Sequence, residues 1–397
     1  MSYIVISIGL IVVMDGIWWA VSARLARGRA WRSLITIFMT GQVLGLAWLL
    51  VGRLSGSGGD RWLPKFAVAA LFIWHTLLLP LLLALVVIAL PFLLVVLVLR
   101  FLKRTPQANP ERENASGAWT RRQFLCTAVA TAPPLLSVGL TVTALRQLGQ
   151  FRVRRFVLPM AGLPRDLDGL TIAQVSDMHV GRFTSGRVLR EMVGVVNEMR
   201  ADLVLLTGDL INDALADLDH GLELVRAMEA RFGLCLIEGN HDLIENGADF
   251  ERRVKASGIP FLLNESSVLS VRGTPLQLLG LSWTRARENR DEAIARSVRA
   301  LLEQRQPDAF PILLAHHPHA FDAAAAASLP LTLSGHTHGG QLMWNERAGF
   351  GPAMFRYWSG LYTRGPSRLI VSNGVGNWFP LRTHAPAEIV HLTLIRA

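Results

Sequence analysis

The sequence predicts two structural classes in one chain: a multi-span α-helical membrane region, followed by an α/β domain. Three observations carry this. Residues 1–102 contain long apolar runs free of charge. From about Leu170 onward, short apolar runs alternate with amphipathic stretches of helical period. The charge divides in the same way. Residues 1–150 hold 14 Lys+Arg against 4 Asp+Glu, and residues 151–397 hold 26 of each, so the net charge of +10 resides entirely in the apolar half. A length of 397 residues also asks for at least two units. A pI near 10.7 would ordinarily point to nucleic acid. Here the arginines flank apolar segments, the pattern of membrane helices. The neutral second half offers no footprint for a phosphate polymer, so no nucleic-acid partner is expected. Cys126 and Cys235 are the two cysteines; they form no Cys-x-x-Cys, and thiolate zinc sites are excluded.

The membrane region is expected to hold about three transmembrane helices within residues 1–102. The first runs from Ile4 to about Ala20 and is followed by Arg24, Arg27, Arg29 and Arg32. The second covers Ser33 to about Val51, and a Gly/Ser-rich loop leads on to Lys65. The apolar stretch Phe66–Leu99 exceeds what a bilayer core needs at about 1.5 Å per residue. It reads as one long helix kinked at Pro80 or Pro91, or as a hairpin. The positive-inside rule favours a single span, because it puts both basic segments, 24–32 and the loop 103–122, in the cytoplasm. Residues 123–146 then form a fourth transmembrane helix or an internal twin-arginine-like signal, introduced by Thr120-Arg121-Arg122-Gln123-Phe124-Leu125. Either role carries the second half out of the cytoplasm. Arg146, Arg152, Arg154 and Arg155 follow on the supposed outer side, against the rule. Asp15 and His75 are ionisable residues within expected spans, at similar depth, where they can pair.

In the second half, Thr171–Val175, Leu203–Leu206, Leu234–Ile237, Ile312–Leu314, Leu331–Leu333, Leu369–Val371 and Glu388–Ile395 read as strands. Val188–Met199 and Leu222–Met228 read as helices. Polar residues cluster where five of these strands end. They are Asp177 and His179 after the first, Asp209 after the second, and Asn240, His241 and Asp242 after the third. His316 and His317 follow the Ile312 strand, and His336 and His338 the Leu331 strand. In α/β sheets the C-terminal strand edge is where ligands bind. The chain has 11 histidines, and six of them (His179, His241, His316, His317, His336, His338) stand in this set, which argues for a metal site. Two divalent cations about 3.5–4 Å apart require a shared ligand, a task for a carboxylate. A His-x-His pair in an extended segment turns both rings to one side. The mixed oxygen and nitrogen set suits Mn²⁺, Fe or Zn²⁺ alike.

The ordered motifs Asp177-x-His179, Gly208-Asp209, Gly239-Asn240-His241-Asp242, His316-x-Pro318 and Gly335-His336-x-His338 resemble those of calcineurin-like metallophosphoesterases, over about residues 165–397. The closing Gly-His-Thr-His-Gly-Gly-Gln is similar to the bacterial branch of membrane-bound or twin-arginine-exported phosphohydrolases. The resemblance implies a four-layer αββα sandwich holding two divalent metal ions. Asp177, His179 and His338 would hold the first metal, Asn240, His316 and His336 the second, and Asp209 would bridge them. A metal-bridging hydroxide would attack phosphorus, with His241 protonating the leaving oxygen. Asp242 would orient His241 or cap a helix. His317 and His319 are expected to be structural. One departure stands out: Asn212 occupies the position of the second acid in the family's Gly-Asp-x-x-Asp, which bears on the supporting network.

These readings add up to a membrane-anchored two-metal phosphohydrolase, of phosphodiesterase or pyrophosphatase type, on the extracytoplasmic side of the inner membrane. Its expected partners are the membrane and a phosphorylated small molecule or lipid. An aromatic, glycine-rich segment between Gln341 and Gly365 follows the last ligands, where it can shape an apolar pocket or touch the membrane. The alternatives are a non-catalytic metal-binding membrane protein, which the presence of His241 argues against, and a phosphomonoesterase or nuclease of the same fold.

Overall fold

The computed structural model describes residues 2–54, 62–102, 119–286 and 289–397. The expected basic loop lies outside these residues as far as 118, as does 55–61 of the Gly/Ser-rich loop. The chain divides into two compact units, Met1–Leu145 and Arg146–Ala397.

The first unit is helical: α1 (Ser2–Leu25), α2 (Arg29–Leu54), α3 (Lys65–Phe72), a π-helical turn (Ile73–Leu78), α4 (Leu79–Leu102) and α5 (Arg121–Gln147). From Lys65 to Leu102 the path is continuously helical, so the long apolar stretch contains no hairpin. Its irregularity is the π turn just before Pro80, whose ring would crowd the carbonyl four residues back in a regular helix. Arg29–Gly52, Lys65–Val96 and Arg121–Gln147 are long and apolar enough to cross a membrane. Their outer faces present Ile37, Trp48, Ile88 and Phe92, surface that hydrocarbon accepts and water does not. The Arg-Arg pair opens α5 inside a capping box: Thr120 Oγ1 accepts from Gln123 N–H at 3.2 Å, and Gln123 Oε1 accepts from Thr120 N–H at 3.1 Å. The same Gln123 side chain accepts from the Arg27 guanidinium, and Arg27 N–H donates to Thr127 Oγ1.

Asp15 and His75 do pair. The Asp15 carboxylate is buried, with Oδ1 accepting from Trp74 Nε1 at 2.8 Å and Oδ2 lying 2.9 Å from His75 Nε2. The other ring nitrogen, Nδ1, is 3.0 Å from Leu71 O. Asp15→Asn should leave the melting temperature of the detergent-solubilised chain nearly unchanged, since an amide oxygen can still accept from Trp74 and the amide N–H₂ can donate to His75. Asp15→Leu should lower it, because each buried polar group left unpaired costs about 1–3 kcal/mol of stability.

The second unit contains, in chain order, β1 (Arg152–Met160), β2 (Leu170–Val175), α6 (Arg187–Glu198), β3 (Leu203–Thr207), α7 (Leu218–Arg226), β4 (Leu234–Ile237), α8 (Gly247–Ala256), β5 (Glu265–Val271) and β6 (Thr274–Leu281). There follow α9 (Arg290–Leu302), β7 (Phe310–Ala315), α10 (Ala320–Ala326), β8 (Leu331–Ser334), β9 (Met343–Asn345), β10 (Ala348–Gly349), α11 (Phe350–Met354), β11 (Gly360–Arg364), β12 (Ser367–Val371) and β13 (Glu388–Arg396). The unit thus includes β1, upstream of the residue 165 at which the sequence-expected domain begins. The helix expected to start at Leu222 begins one turn earlier, at Leu218.

One sheet has the order β1-β13-β2-β3-β4 and a second the order β11-β12-β8-β7-β6-β5. Strand alternation sorts the side chains into layers. Leu203 and Leu205 of β3 meet Ile312 and Leu314 of β7 and Leu276 and Leu278 of β6 in a core between the sheets. The alternate residues Val204 and Leu206 face Leu189, Met192 and Val196 of α6 and Leu222 and Val225 of α7. On the far side, Leu279 and Leu281 of β6 and Leu313 of β7 face Ile294 and Val298 of α9 and Ala320 and Ala324 of α10. This is a four-layer αββα sandwich. β2, β3 and β4 run parallel, as do β6, β7, β8 and β12, so their C-terminal ends deliver their loops to common edges.

Candidate metal centre

Those loops bring the sequence-predicted residues together. Asp177, His179 and His338 offer ligand atoms within 4.8 Å of one another; so do His179, Asp209 and His241, and so do Asp209, His316 and His336. Asp209 belongs to two of the three groups, and its Oδ2 lies 3.5 Å from His179 Nε2 and 3.2 Å from His316 Nε2. His338 Nε2 is 3.0 Å from His179 Nε2 and 3.2 Å from Asp177 Oδ1. Donor atoms about 2.0–2.2 Å from a small cation lie about 3 Å apart. Asn240 Oδ1 is buried without a hydrogen-bond partner, as a metal-directed lone pair would be. The residues present therefore fit divalent cations.

The backbone does the aiming. Asp177 (φ 54°), His179 (45°), Asp209 (55°), His336 (72°) and His338 (50°) all adopt left-handed conformations, which Asp and His tolerate better than most residues. The extended geometry expected for His336-Thr337-His338 is therefore overturned: β8 ends at Ser334, and the two rings diverge through a bend leading into a 3₁₀ turn. At Gly335 a Cβ would fall on the side chains of Ser176 and Asp177, and at Gly239 on the Asp209 carboxylate. Glycine is required at both by close approach.

Hydrogen bonds behind the ligands fix their rings. His316 donates Nδ1–H to Thr207 O at 2.7 Å, leaving Nε2 to the site. His241 donates Nδ1–H to Asn212 O at 2.6 Å. Asn212, at the position of the second acid in the family pattern, thus reaches His241 through its main-chain carbonyl. Asp242 does not hydrogen-bond the His241 ring; its carboxylate accepts from the backbone N–H groups of Asp209 (3.0 Å), Ile211 (3.0 Å) and Gly239 (2.8 Å). His317 and His319 belong to the surrounding wall, with His317 beside Trp283 and His336, and His319 Nδ1 2.9 Å from Asp291.

Electrostatics follow from this crowding. Burial pushes the Asp209 carboxyl up, but the charge and hydrogen bond of His316, with His241 and His179, hold it well below the usual range. For His316, burial works against protonation, while the Asp209 charge and hydrogen bond overcome it and raise the ring to about 9. Burial keeps His179 and His336 well below the ordinary histidine value. Burial also lifts Glu238, which accepts from Trp283 N–H at 3.0 Å, to about 7.

Sequence reasoning missed three contributors. Arg382 is buried and donates from Nη2 to His338 Nδ1 at 2.7 Å and to Gly376 O at 2.6 Å, from Nη1 to Asn373 O at 2.8 Å, and from Nε to Asn377 Oδ1 at 2.9 Å. Trp283 stacks 4.9 Å from the His336 ring, and Trp378 stands 6.0 Å from His241. The signal available was the segment Asn373-Gly-Val-Gly-Asn-Trp-Phe-Pro-Leu-Arg382, a glycine-rich loop directly after a strand.

The fold and this cluster together define a metal-dependent phosphoesterase. A calcineurin-like phosphoesterase family model matches residues 170–340. A transmembrane protein with metallophosphoesterase domain from Danio rerio is 30% identical over 382 residues, covering 93% of this chain and 81% of that protein. The uncharacterized metallophosphoesterase YkuE of Bacillus subtilis is 31% identical over 244 residues, 58% of this chain and 81% of the relative. Phosphodiesterase YaeI of Escherichia coli is 26% identical over 287 residues, 70% of this chain and 99% of the relative. The chain belongs to the calcineurin-like metallophosphoesterase family. It is a metal-dependent phosphoric ester hydrolase with a phosphorylated substrate, and its apolar helices associate it with a membrane.

Arg382→Met should weaken metal retention about 10–100-fold, the usual effect of losing a group that orients a ligand. Metal content after dialysis against graded chelator measures it.

Proposed function

We propose that this enzyme is a membrane-anchored two-metal phosphodiesterase or pyrophosphatase acting on a lipid-linked phosphate. The observation that supports two cations is Asp209, shared between the group containing His179 and the group containing His316 and His336. On this reading Asp177, His179 and His338 hold one cation, Asn240, His316 and His336 the other, and Asp209 both. Divalent ions there would supply Lewis acidity toward the phosphoryl oxygens and lower the pKa of water. The mixed donor set accommodates Mn²⁺, Fe or Zn²⁺.

His241 carries the proton. Its Nδ1–H is committed to Asn212 O, so Nε2 is the atom that gives a proton to the leaving oxygen. Its backbone N–H donates to Asp209 Oδ1 at 2.8 Å, which keeps acid and shared carboxylate in register. Support for a lipid-linked substrate comes from the aromatic rim. Phe355 lies 5.7 Å from the His336 ring, and the same segment presents Trp344 (82% exposed), Met354 (65%) and Phe350 (53%) to the outside. A diester is favoured over a monoester by the rim's apolar character, and the Escherichia coli relative is named a phosphodiesterase. With α1, α2, the α3–α4 path and α5 as four spans, the basic segments lie in the cytoplasm and the catalytic unit on the extracytoplasmic side of the inner membrane. α5 has this consequence as an anchor or as an export signal.

The metal-stripped full chain, reloaded singly with Mn²⁺, Fe²⁺, Zn²⁺ or Mg²⁺, should turn over bis-p-nitrophenyl phosphate faster than the monoester. Asp209→Asn should abolish turnover. His241→Ala should lower kcat about 10²–10⁴-fold with metal content retained. Asn212→Ala should stay within a few-fold of wild type, because the contact to His241 is made by the main chain. A preference for the monoester would overturn the diesterase reading, and His241→Ala at full activity would remove the assigned acid.

A further inference from the structure

The arginines that follow α5 take no part in the metal chemistry, and they stand against the charge rule on the supposed outer side. Their setting suggests another use. α5 ends at Gln147 and β1 begins at Arg152. In the second unit a cavity of about 390 Å³ is lined there by Gln147, Gln150, Arg152, Arg382 and His384. That volume lies within the range of small-ligand sites. None of the candidate metal ligands lines it.

The charge at this place is unbalanced. Glu388 is the acid beside the cavity. It is fully buried, accepts from Arg152 Nε and Nη2 at 3.1 and 2.9 Å, and lies 3.5 Å from Arg154 Nη1. One carboxylate thus serves two guanidinium groups. Arg382, the third, directs its hydrogen bonds to neutral carbonyl oxygens, an amide oxygen and an imidazole nitrogen, and the carboxylates of Asp177 and Glu388 are the charges that face it, so three guanidinium groups stand against two carboxylates. Gln150 and His384 are exposed at the rim and hydrogen-bond-capable. The lining includes Gln147, the last residue of a helix long and apolar enough to cross a membrane, and at the surface of a bilayer phosphate oxyanions are the abundant anion.

We propose that this cavity binds a phosphate oxyanion, supplied by the headgroup of an anionic phospholipid, with Arg152 and His384 facing its oxygens. None of the candidate metal ligands lines this site, although Arg382 serves both places. It rests on α5 crossing the bilayer and not on the substrate read for the catalytic residues.

The test uses the full chain purified in detergent. Native mass spectrometry measures retention of phosphatidylglycerol against phosphatidylcholine of the same acyl chains, with inorganic phosphate as a competitor. Gln150→Glu and His384→Asp each place a carboxylate at the cavity; aspartate suits the left-handed backbone at His384 (φ 49°). The expected result is preferential retention of phosphatidylglycerol by wild type, weakened about fivefold by each added charge, with an unchanged melting temperature. Equal retention of the two lipids, or variants that hold phosphatidylglycerol as wild type does, would overturn the proposal. Binding of inorganic phosphate without any lipid preference would assign the cavity to the free ion and overturn the headgroup source.

Discussion

The Asp242 carboxylate is the constraint on which the metal centre depends. It accepts three backbone N–H groups, from Asp209 and Ile211 after β3 and from Gly239 after β4. Both loops would otherwise leave those donors buried and unpaired, at about 1–3 kcal/mol each. Through this one side chain, Asp209 and Asn240 come from neighbouring strands yet keep a fixed relation. His241, the next residue, is then placed by a second backbone tie to Asp209 Oδ1. The loop geometry precedes the chemistry: a rigid floor of main-chain hydrogen bonds presents side chains whose lone pairs converge.

That convergence is electrostatically costly in isolation. Asp177, His179, Asp209, His316 and His338 are all buried, and burying charge without partners is unfavourable. Part of the cost is offset among the residues themselves, as in the opposed shifts of Asp209 and His316. The unpaired Asn240 oxygen is not offset within the protein. Such a site is arranged for cations rather than for maximal stability of the polypeptide alone.

The layered fold was largely readable because its signals are local. Strand alternation at Leu203–Leu206 separates two cores, and the helical period at Leu189, Met192, Val193 and Val196 marks one face of α6. The candidate ligands were readable for a chemical reason: Asp, His and Asn gather at the ends of parallel strands. What stayed hidden acts through tertiary approach or through the main chain. Nothing at Arg382 shows, in sequence, that it will reach back to His338. The carbonyl of Asn212 carries a role that its side chain does not advertise. β1 was missed because Arg152, Arg154 and Arg155 interrupt its apolar pattern, two of them drawn there by the buried Glu388. His336-Thr337-His338 was misjudged as extended because φ is not written in residue type.

The left-handed backbone at five ligand positions also bears on how such a centre drifts over evolutionary time. At Asp177, His179, Asp209, His336 and His338 a replacement must satisfy the cation and also an unusual φ, so most swaps fail twice. Asn240 is different, with φ −73° and ψ −31°, an ordinary helical conformation open to nearly any residue. Among the proposed ligands, replacement is therefore conformationally cheapest at Asn240 and His316, neither of which is left-handed, while the other five are constrained by backbone as well as by chemistry.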